Sequence, residues 1–378
     1  MGDGIGVSEG EPWRRHRKLM QPAFHSSPIG TYADIMVKFA TDMGTEGKAR
    51  SESGKSYAVD KASISYSLRV IIKALLNLDM VTESHPIINA ICETLEMSEF
   101  LPKLSFLPRW VPTAYNRRQK KTIAQLDAVI YRLIDDRRKL GANKGDILSM
   151  LLSARDKNNV ILTDKEVRDE VVTLLIANRT TSGALTWMWY LLSQHPEVET
   201  KLHEELDRVL LGRLPTFEDL PQLPYTEMIV KETLRLYPPA WLVRELTEDT
   251  LLDGHAAKKG QLVFLNIYGM HHNSHLFPHP DRFDPERFNS ENEGTIPRYA
   301  YLPFSTGPHI CIGNTYALIQ LRLVLATLAQ DYRLELAPDC KVVPELKTMT
   351  MPKFGLNMIL KPRVLAATRA ESKQDDLE

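Results

Sequence analysis

Three groups of residues in this chain have types and spacings that could do chemistry. The first is Cys311 in "FSTGPHICIGNTYALIQL", set between Gly307 and Gly313 and followed at once by a helix-forming run. A tight turn feeding a helix N-terminus converges backbone N–H groups on the sulfur and stabilises a thiolate there. The loop alone equally fits a buried structural cysteine, or a nucleophilic Cys-His pair with His309 two residues upstream. The second group is Glu232 and Arg235 in "KETLR", one helical turn apart and so on one face. The third is Arg179 and Thr180 in "LLIANRTTSGALTW", where Arg179 is the only formal charge between Val171 and Gln194.

Composition bounds what these groups can serve. With 378 residues, 43% hydrophobic and 25% charged, the chain has ample length for a large core. A formal charge of −1 gives no global attraction to nucleic acid or to an anionic membrane. The three cysteines, Cys92, Cys311 and Cys340, are widely spaced and form no C-x-x-C, which argues against a disulfide framework or a zinc site and for a reducing, cytoplasmic setting. The absence of C-x-x-C-H removes covalent c-type haem attachment. The opening "MGDGIGVSEGEPWRRHRK" has no apolar core ahead of its basic cluster and so is no signal peptide; it reads as an interior loop.

The elements that must position these groups are mostly helical. Thr163 and Glu166 in "LTDKEVRDEVV" form a capping box. The run Val171 to Gln194 predicts one long helix, apolar nearly all round, that stops at His195-Pro196. Its central Arg-Thr-Thr-Ser group is expensive in lipid, so it predicts a buried core helix and no membrane span. Amphipathic helices are expected over "PEVETKLHEELDRVL" and "YTEMIVKETLRLYPP". Small antiparallel strands broken by "DG" and "KKG" should follow, then a proline-rich irregular stretch, the cysteine loop, a helix over "NTYALIQLRLVLATLAQDY", a hairpin containing "PKFGLNMIL", and a polar tail over 366–378. Without repeats or linkers, residues 1–378 read as a single domain, mainly α with small antiparallel β-sheets.

"FSTGPHICIG" resembles the haem-binding loop of the cytochrome P450 family, through Phe304, Gly307, His309, Cys311 and Gly313. Other motifs agree in order: Glu232-x-x-Arg235, then Arg287 in "FDPERF", "WRRHRK" with Trp13 and Arg17, and "LLIANRTTSGALTW" as the helix over the distal haem face. The resemblance implies the cytochrome P450 fold and haem b (iron protoporphyrin IX) with Cys311 as its thiolate ligand, which pushes electron density onto the iron and favours O–O cleavage. It implies that Trp13, Arg17, Arg244 and His309 face the propionates. It makes Glu232, Arg235 and Arg287 a structural cluster behind the haem, although paired charges look catalytic. Arg14, Arg15 and Lys18 either form a basic rim for an acidic electron donor or are a solvated helix face.

Two departures stand out. The family commonly reads small-Gly-x-acid-Thr on the distal helix; here Ile176, Ala177, Asn178, Arg179 and Thr180 stand there, so the alcohol is kept and the acid is arginine. Thr180 and Arg179 are accordingly the candidate catalytic pair, with proton delivery resting on Thr180, water or substrate. The resemblance also implies N-terminal helices and sheet strands ahead of Trp13; the chain reads as an N-terminally truncated version of that fold, which should leave "GQLVFLNI" with an unpaired edge. The expected substrate pocket is Ile176, Ala177, Trp241, Leu242 and Met349, apolar enough for a fatty acid, terpenoid, steroid or polyketide. No redox module is fused, so NAD(P)H electrons should arrive through a separate ferredoxin and its reductase or a flavoprotein reductase. The leading expectation is a monooxygenase inserting one oxygen atom from O2. The alternatives are a peroxide-driven peroxygenase, since fatty-acid members of that kind carry arginine at the Arg179 position though they replace the following threonine, a non-catalytic haem- or ligand-binding remnant, and a cysteine hydrolase using Cys311 and His309.

Overall fold

A computed structural model describes residues 2–25, 29–78, 111, 113–141, 145–239, 242–346 and 349–363. Cys92, Trp241 and the expected tail 366–378 lie outside the described residues. The architecture is mainly helical with small antiparallel sheets, divided into two compact units: Met1–Met43, Lys61–Ser182 and Thr315–Gln320 form the first; Gly44–Asp60, Gly183–Asn314 and Leu321–Glu378 form the second.

The first unit contains helix α1 (Gly10–Met20), the start of α2 (Ala33–Glu52), most of α3 (Val59–Leu76), α4 (Ala114–Leu140), α5 (Ile147–Ser153) and α6 (Asp164–Ala177). In α1, Glu11 in the first turn and Arg17 and Lys18 in the last complement the helix dipole. Its buried stripe is Trp13, His16, Leu19 and Met20, at spacings of three and four. Asp146 caps α5 by accepting the Ser149 N–H at 2.8 Å, and its other oxygen takes Arg137 of α4 at 2.6 Å in a buried pair. The Thr163–Glu166 capping box starts α6 as expected, with Glu166 Oε2 accepting the Thr163 N–H at 2.7 Å.

The run expected as one helix is two. After α6 ends at Ala177, Asn178 makes a turn and α7 (Arg179–Gln194) begins, its first residues in the first unit and the rest in the second. Two hydroxyls compete with the backbone ladder at this point: Thr180 Oγ1 donates to the Ala177 carbonyl at 2.8 Å and Ser182 Oγ to the Arg179 carbonyl at 2.7 Å. Such bonding can bend a helix slightly, and a periodicity argument does not register it.

The second unit holds α8 (Pro196–Leu210), α9 (Pro224–Leu236), α10 (Ile267–His271) and most of α11 (Asn314–Asp331). Prolines in the first turn of α8 and α9 cost no helical hydrogen bond. Glu205 of α8 accepts the Tyr225 and Thr226 N–H groups at 2.6 and 2.8 Å, so one helix caps the next. Strands β1 (Tyr57–Ala58), β9 (Asn357–Pro362) and β6 (Tyr332–Leu336) form one antiparallel sheet, in that order. The other sheets are two-stranded: β2 (Leu242–Glu245) with β5 (Leu262–Leu265), β3 (Thr250–Leu252) with β4 (His255–Ala257), and β7 (Pro344–Leu346) with β8 (Thr350–Pro352). The "DG" signal is a tight turn between β3 and β4, with Asp253 and Gly254 both at positive φ, 48° and 80°.

The C-terminal hairpin expected around "PKFGLNMIL" is corrected. Strands β8 and β9 flank that turn but do not pair with each other; β8 pairs with β7, and β9 with β6 and β1. The turn is drawn instead onto the start of α3, where the Val59 N–H donates to the Leu356 carbonyl at 2.8 Å and Asp60 Oδ1 accepts the Leu356 N–H at 3.2 Å. No helix among the described residues is long and apolar enough to cross a membrane.

Candidate functional site

The cysteine loop is a short 3-10 turn, Gly307–His309, entered through Ser305 at φ 64° and Gly307 at φ 71°. Positive φ is costly at a serine, so the loop is locally strained where it approaches the sulfur. The Cys311 N–H donates to the Phe304 carbonyl at 2.9 Å, which closes the loop and directs the chain into α11. Cys311 is exposed and outside any disulfide, so the buried structural reading does not hold. Gly313 stands just ahead of α11, where a Cβ would lie 3.9 Å from Cys311 Sγ. Cys340 is half-buried, and its sulfur accepts the Asn357 N–H at 3.3 Å. His309 ends the 3-10 turn on the exposed side. Arg244, on β2 two residues after the half-buried Leu242, reaches the same loop and donates to Ser305 Oγ at 3.2 Å.

Glu232, Arg235 and Arg287 come together in the same unit. Arg235 meets Glu232 through two parallel bonds, Nε to Oε2 at 2.7 Å and Nη2 to Oε1 at 2.8 Å, and both side chains are fully buried. Arg287 Nε lies 3.3 Å from Glu232 Oε1, which also accepts the Asp284 N–H at 3.0 Å. Arg235 spends its remaining donors on the His271 and Arg282 carbonyls. Every charge here is engaged in holding backbone.

Sequence reasoning missed His271. Its Nε2 accepts the Leu302 N–H at 3.0 Å, so the proton sits on Nδ1 and is donated to the Arg235 carbonyl, also at 3.0 Å. The ring thus ties α9 to the segment leading into the cysteine loop. Burial, with Arg235 nearby, pushes its pKa down to about 4. In sequence it is one of two adjacent histidines, and nothing local marks which is buried.

In the first unit, Trp13 is buried and Arg17 half-buried four residues on, on one face of α1. Arg15 does not join a basic rim: it donates to Asp156 Oδ2 at 2.8 Å, Glu166 Oε1 at 2.7 Å and the Ile161 carbonyl at 3.0 Å. His16 and Glu170 were also missed, and they form a buried contact at 2.7 Å. The N-terminal loop is pinned to α6, with Asp169 and Glu170 accepting the Asp3 and Ile5 N–H groups. At Gly4 a Cβ would fall 2.3 Å from Thr173 Oγ1, so only glycine permits that approach. Around the helix break, Ile176, Arg179 and Thr180 are half-buried and Ala177 is exposed. In the second unit, Met349 is buried against Gly183 of α7, where a Cβ would lie 2.1 Å from Met349 Cε.

Comparison with known proteins agrees with this arrangement. The sequence model of the family described as cytochrome P450 matches residues 1–361. Cyclooctatin synthase of Streptomyces melanosporofaciens is 36% identical over 96% of this chain and 79% of its own length. Pentalenene oxygenase of Streptomyces avermitilis is 32% identical over 93% of this chain and 78% of its own. The crystal structure of the cytochrome P450DA heme domain superposes with a TM-score of 0.89 at 27% identity, covering 96% of this chain and 80% of that one. With the cysteine loop, the Glu-x-x-Arg pair and the Trp-x-x-x-Arg helix in the order that family requires, the chain belongs to the cytochrome P450 family of haem-thiolate monooxygenases.

Proposed function

We propose that this chain inserts one oxygen atom from O2 into a cyclic terpenoid skeleton, holding haem b through Cys311 and receiving NAD(P)H electrons from a separate ferredoxin or flavoprotein reductase. The observation that carries the reading is the placement of Cys311, a thiol exposed on a strained, backbone-closed loop at the start of α11. The terpenoid class is supported by relatives such as cyclooctat-9-en-7-ol 5-monooxygenase of Streptomyces melanosporofaciens, 36% identical over 89% of this chain and 74% of its own length. The oxygenase names of these relatives favour neither the peroxide-driven reading nor the remnant.

The donor chemistry fits a haem. A sulfur presented beside Gly313, with no bulk within 4 Å of a Cβ at Gly307, leaves room for a flat macrocycle to approach. When bound, the haem supplies activation of dioxygen, which the thiolate promotes. Arg17, Arg244 and His309 would carry its propionates, and Trp13 would support one of them. Ile176, Ala177, Leu242 and Met349, with Trp241, would bind an apolar skeleton and exclude water. Thr180 would hold a water: its hydroxyl donates to the Ala177 carbonyl, leaving the oxygen's lone pairs to accept from a water that carries the proton. Arg179 stands where an acid would otherwise help.

The test has two steps. Reduced protein exposed to carbon monoxide should show a red-shifted, thiolate-type Soret band. Incubation with NADPH, a surrogate ferredoxin and its reductase under 18O2 should then give a singly labelled alcohol from a cyclic diterpene or sesquiterpene. A thiolate-type band with labelled product only from linear fatty acids would overturn the substrate class; absence of the band would overturn the haem-thiolate assignment.

A further inference from the structure

A cleft of about 810 Å³ opens in the first unit between α1 and the segment formed by α5 and its following loop, a size within the range of about 300–1,000 Å³ for small-molecule sites. The haem-binding residues assigned above do not line it. Its wall is apolar: Leu19, Ala23 and Leu151 are buried, Met150 is half-buried, and Pro12 and Pro22 complete it. Charge collects elsewhere in the lining, and it is unbalanced. Each carboxylate is already engaged by a cation, Glu11 by Arg14, and Asp156 and Glu166 by Arg15. Arg155 donates to the Asn159 carbonyl at 3.3 Å and makes no ion pair among the described residues. Lys18 and Lys157, both exposed, make no ion pair among the described residues. An apolar wall with surplus positive charge selects a ligand of matching form, with an anionic head for the lysines and a hydrocarbon body for the wall.

We infer that this cleft binds a free amphipathic carboxylate, such as a medium-chain acyl anion, at a site separate from the haem. Arg15 and His16 tie α1 to the segment around Asp156 and to α6, so the ligand would bridge elements that are already bonded to one another. Binding should therefore stabilise the folded unit in proportion to its occupancy.

The experiment is calorimetric titration of haem-loaded protein with decanoate, with the Soret band followed in parallel. One saturable site that leaves the Soret band unmoved is expected. Lys18→Gln and Lys157→Gln should each weaken it by about fivefold, the scale of one partly exposed ion pair, and raising ionic strength should weaken it further. Ser153→Trp, a substitution at an exposed lining position, should weaken binding at least tenfold by obstructing the cleft. Decanol and butyrate, each lacking one half of the ligand's chemistry, should bind at least tenfold more weakly. Because all three substitutions are at exposed positions, the lysine variants keep the test sharp should Ser153→Trp misfold. The inference is overturned if decanoate does not bind, if binding shifts the Soret band and survives Ser153→Trp, if decanol binds as well as decanoate, or if only phosphatidylglycerol vesicles bind.

Discussion

His16 Nδ1 stands 2.7 Å from Glu170 Oε1, with the histidine 4% exposed and the glutamate fully buried. The same ring's Nε2 stands 3.1 Å from Glu166 Oε1, so one imidazole spans two carboxylates of α6. The Ile5 N–H donates to Glu170, and Arg15 to Glu166. The N-terminal loop, the helix carrying Trp13 and Arg17, and the helix leading to Thr180 are thereby fixed to one another through a single charged cluster.

That cluster sets a pH dependence. The hydrogen bond to Glu170, reinforced by Glu166, raises the His16 pKa above its ordinary 6.5 despite burial. Its stabilisation is therefore complete below pH 6.5 and lost as pH rises through the elevated folded value. Against the burial that would raise it, the Thr163 N–H and His16 hold the Glu166 carboxyl down at about 2. Urea midpoints of the wild type should fall across the alkaline side of 6.5, while those of His16→Ala should be flat there. At pH 6 the variant should be less stable by about 3–5 kcal/mol, because a buried carboxylate loses its partner.

His271 should act in the opposite direction. Its folded pKa of about 4 lies below the ordinary 6.5, so its contribution is present above 6.5 and lost as pH falls toward 4. His271→Ala removes the acceptor for the Leu302 N–H and the donor to the Arg235 carbonyl, at a cost of about 1–3 kcal/mol. Haem occupancy and melting temperature should drop together in this variant, since the freed segment leads into the cysteine loop. Unchanged occupancy with a lowered melting temperature would show that the ring supports the core without positioning the loop.

The two described cysteines should separate cleanly. Cys311→Ser should remove the thiolate-type spectrum of the reduced, carbon-monoxide-bound protein. Cys340→Ser should keep it, because serine can still accept the Asn357 N–H, with a stability change below about 1 kcal/mol. Cys92→Ser should keep it as well. Retention of the spectrum in Cys311→Ser would place the ligand elsewhere.

Strand β5 has β2 as its only strand partner among the described residues, and Leu262 and Phe264 are 58% and 65% exposed on it. An unpaired apolar edge templates association between chains. The double substitution Leu262→Lys with Phe264→Thr should lower the light scattered by a concentrated, warmed sample and leave the unfolding free energy within about 0.5 kcal/mol. Equal scattering by both proteins would assign the association to another surface.

What the sequence decided by itself are features set by neighbours along the chain. The capping box at Thr163 and Glu166, the proline starts of α8 and α9, the "DG" turn, and the helix behind Gly313 all follow from residues within four positions of one another, where backbone geometry and local hydrogen bonds dominate. Motif order across the whole chain was equally legible, and it carried Cys311 and the Glu232–Arg235 pair. The tertiary structure decided where donors and acceptors far apart in sequence would meet. The break at Asn178 falls where the Thr180 and Ser182 hydroxyls donate to the Ala177 and Arg179 carbonyls, contacts that a count of apolar positions does not register. β9 pairs with β6 and β1 in place of β8, and the turn ahead of it meets Asp60, nearly three hundred residues away in the chain. His16 and His271 look alike in sequence, yet a hydrogen bond to Glu170, supported by Glu166, raises the pKa of one, while burial, against its bond to the Arg235 carbonyl, lowers that of the other. Burial makes each unmet hydrogen bond costly, so the partners that packing supplies, and not residue type, fix the charge each ring carries.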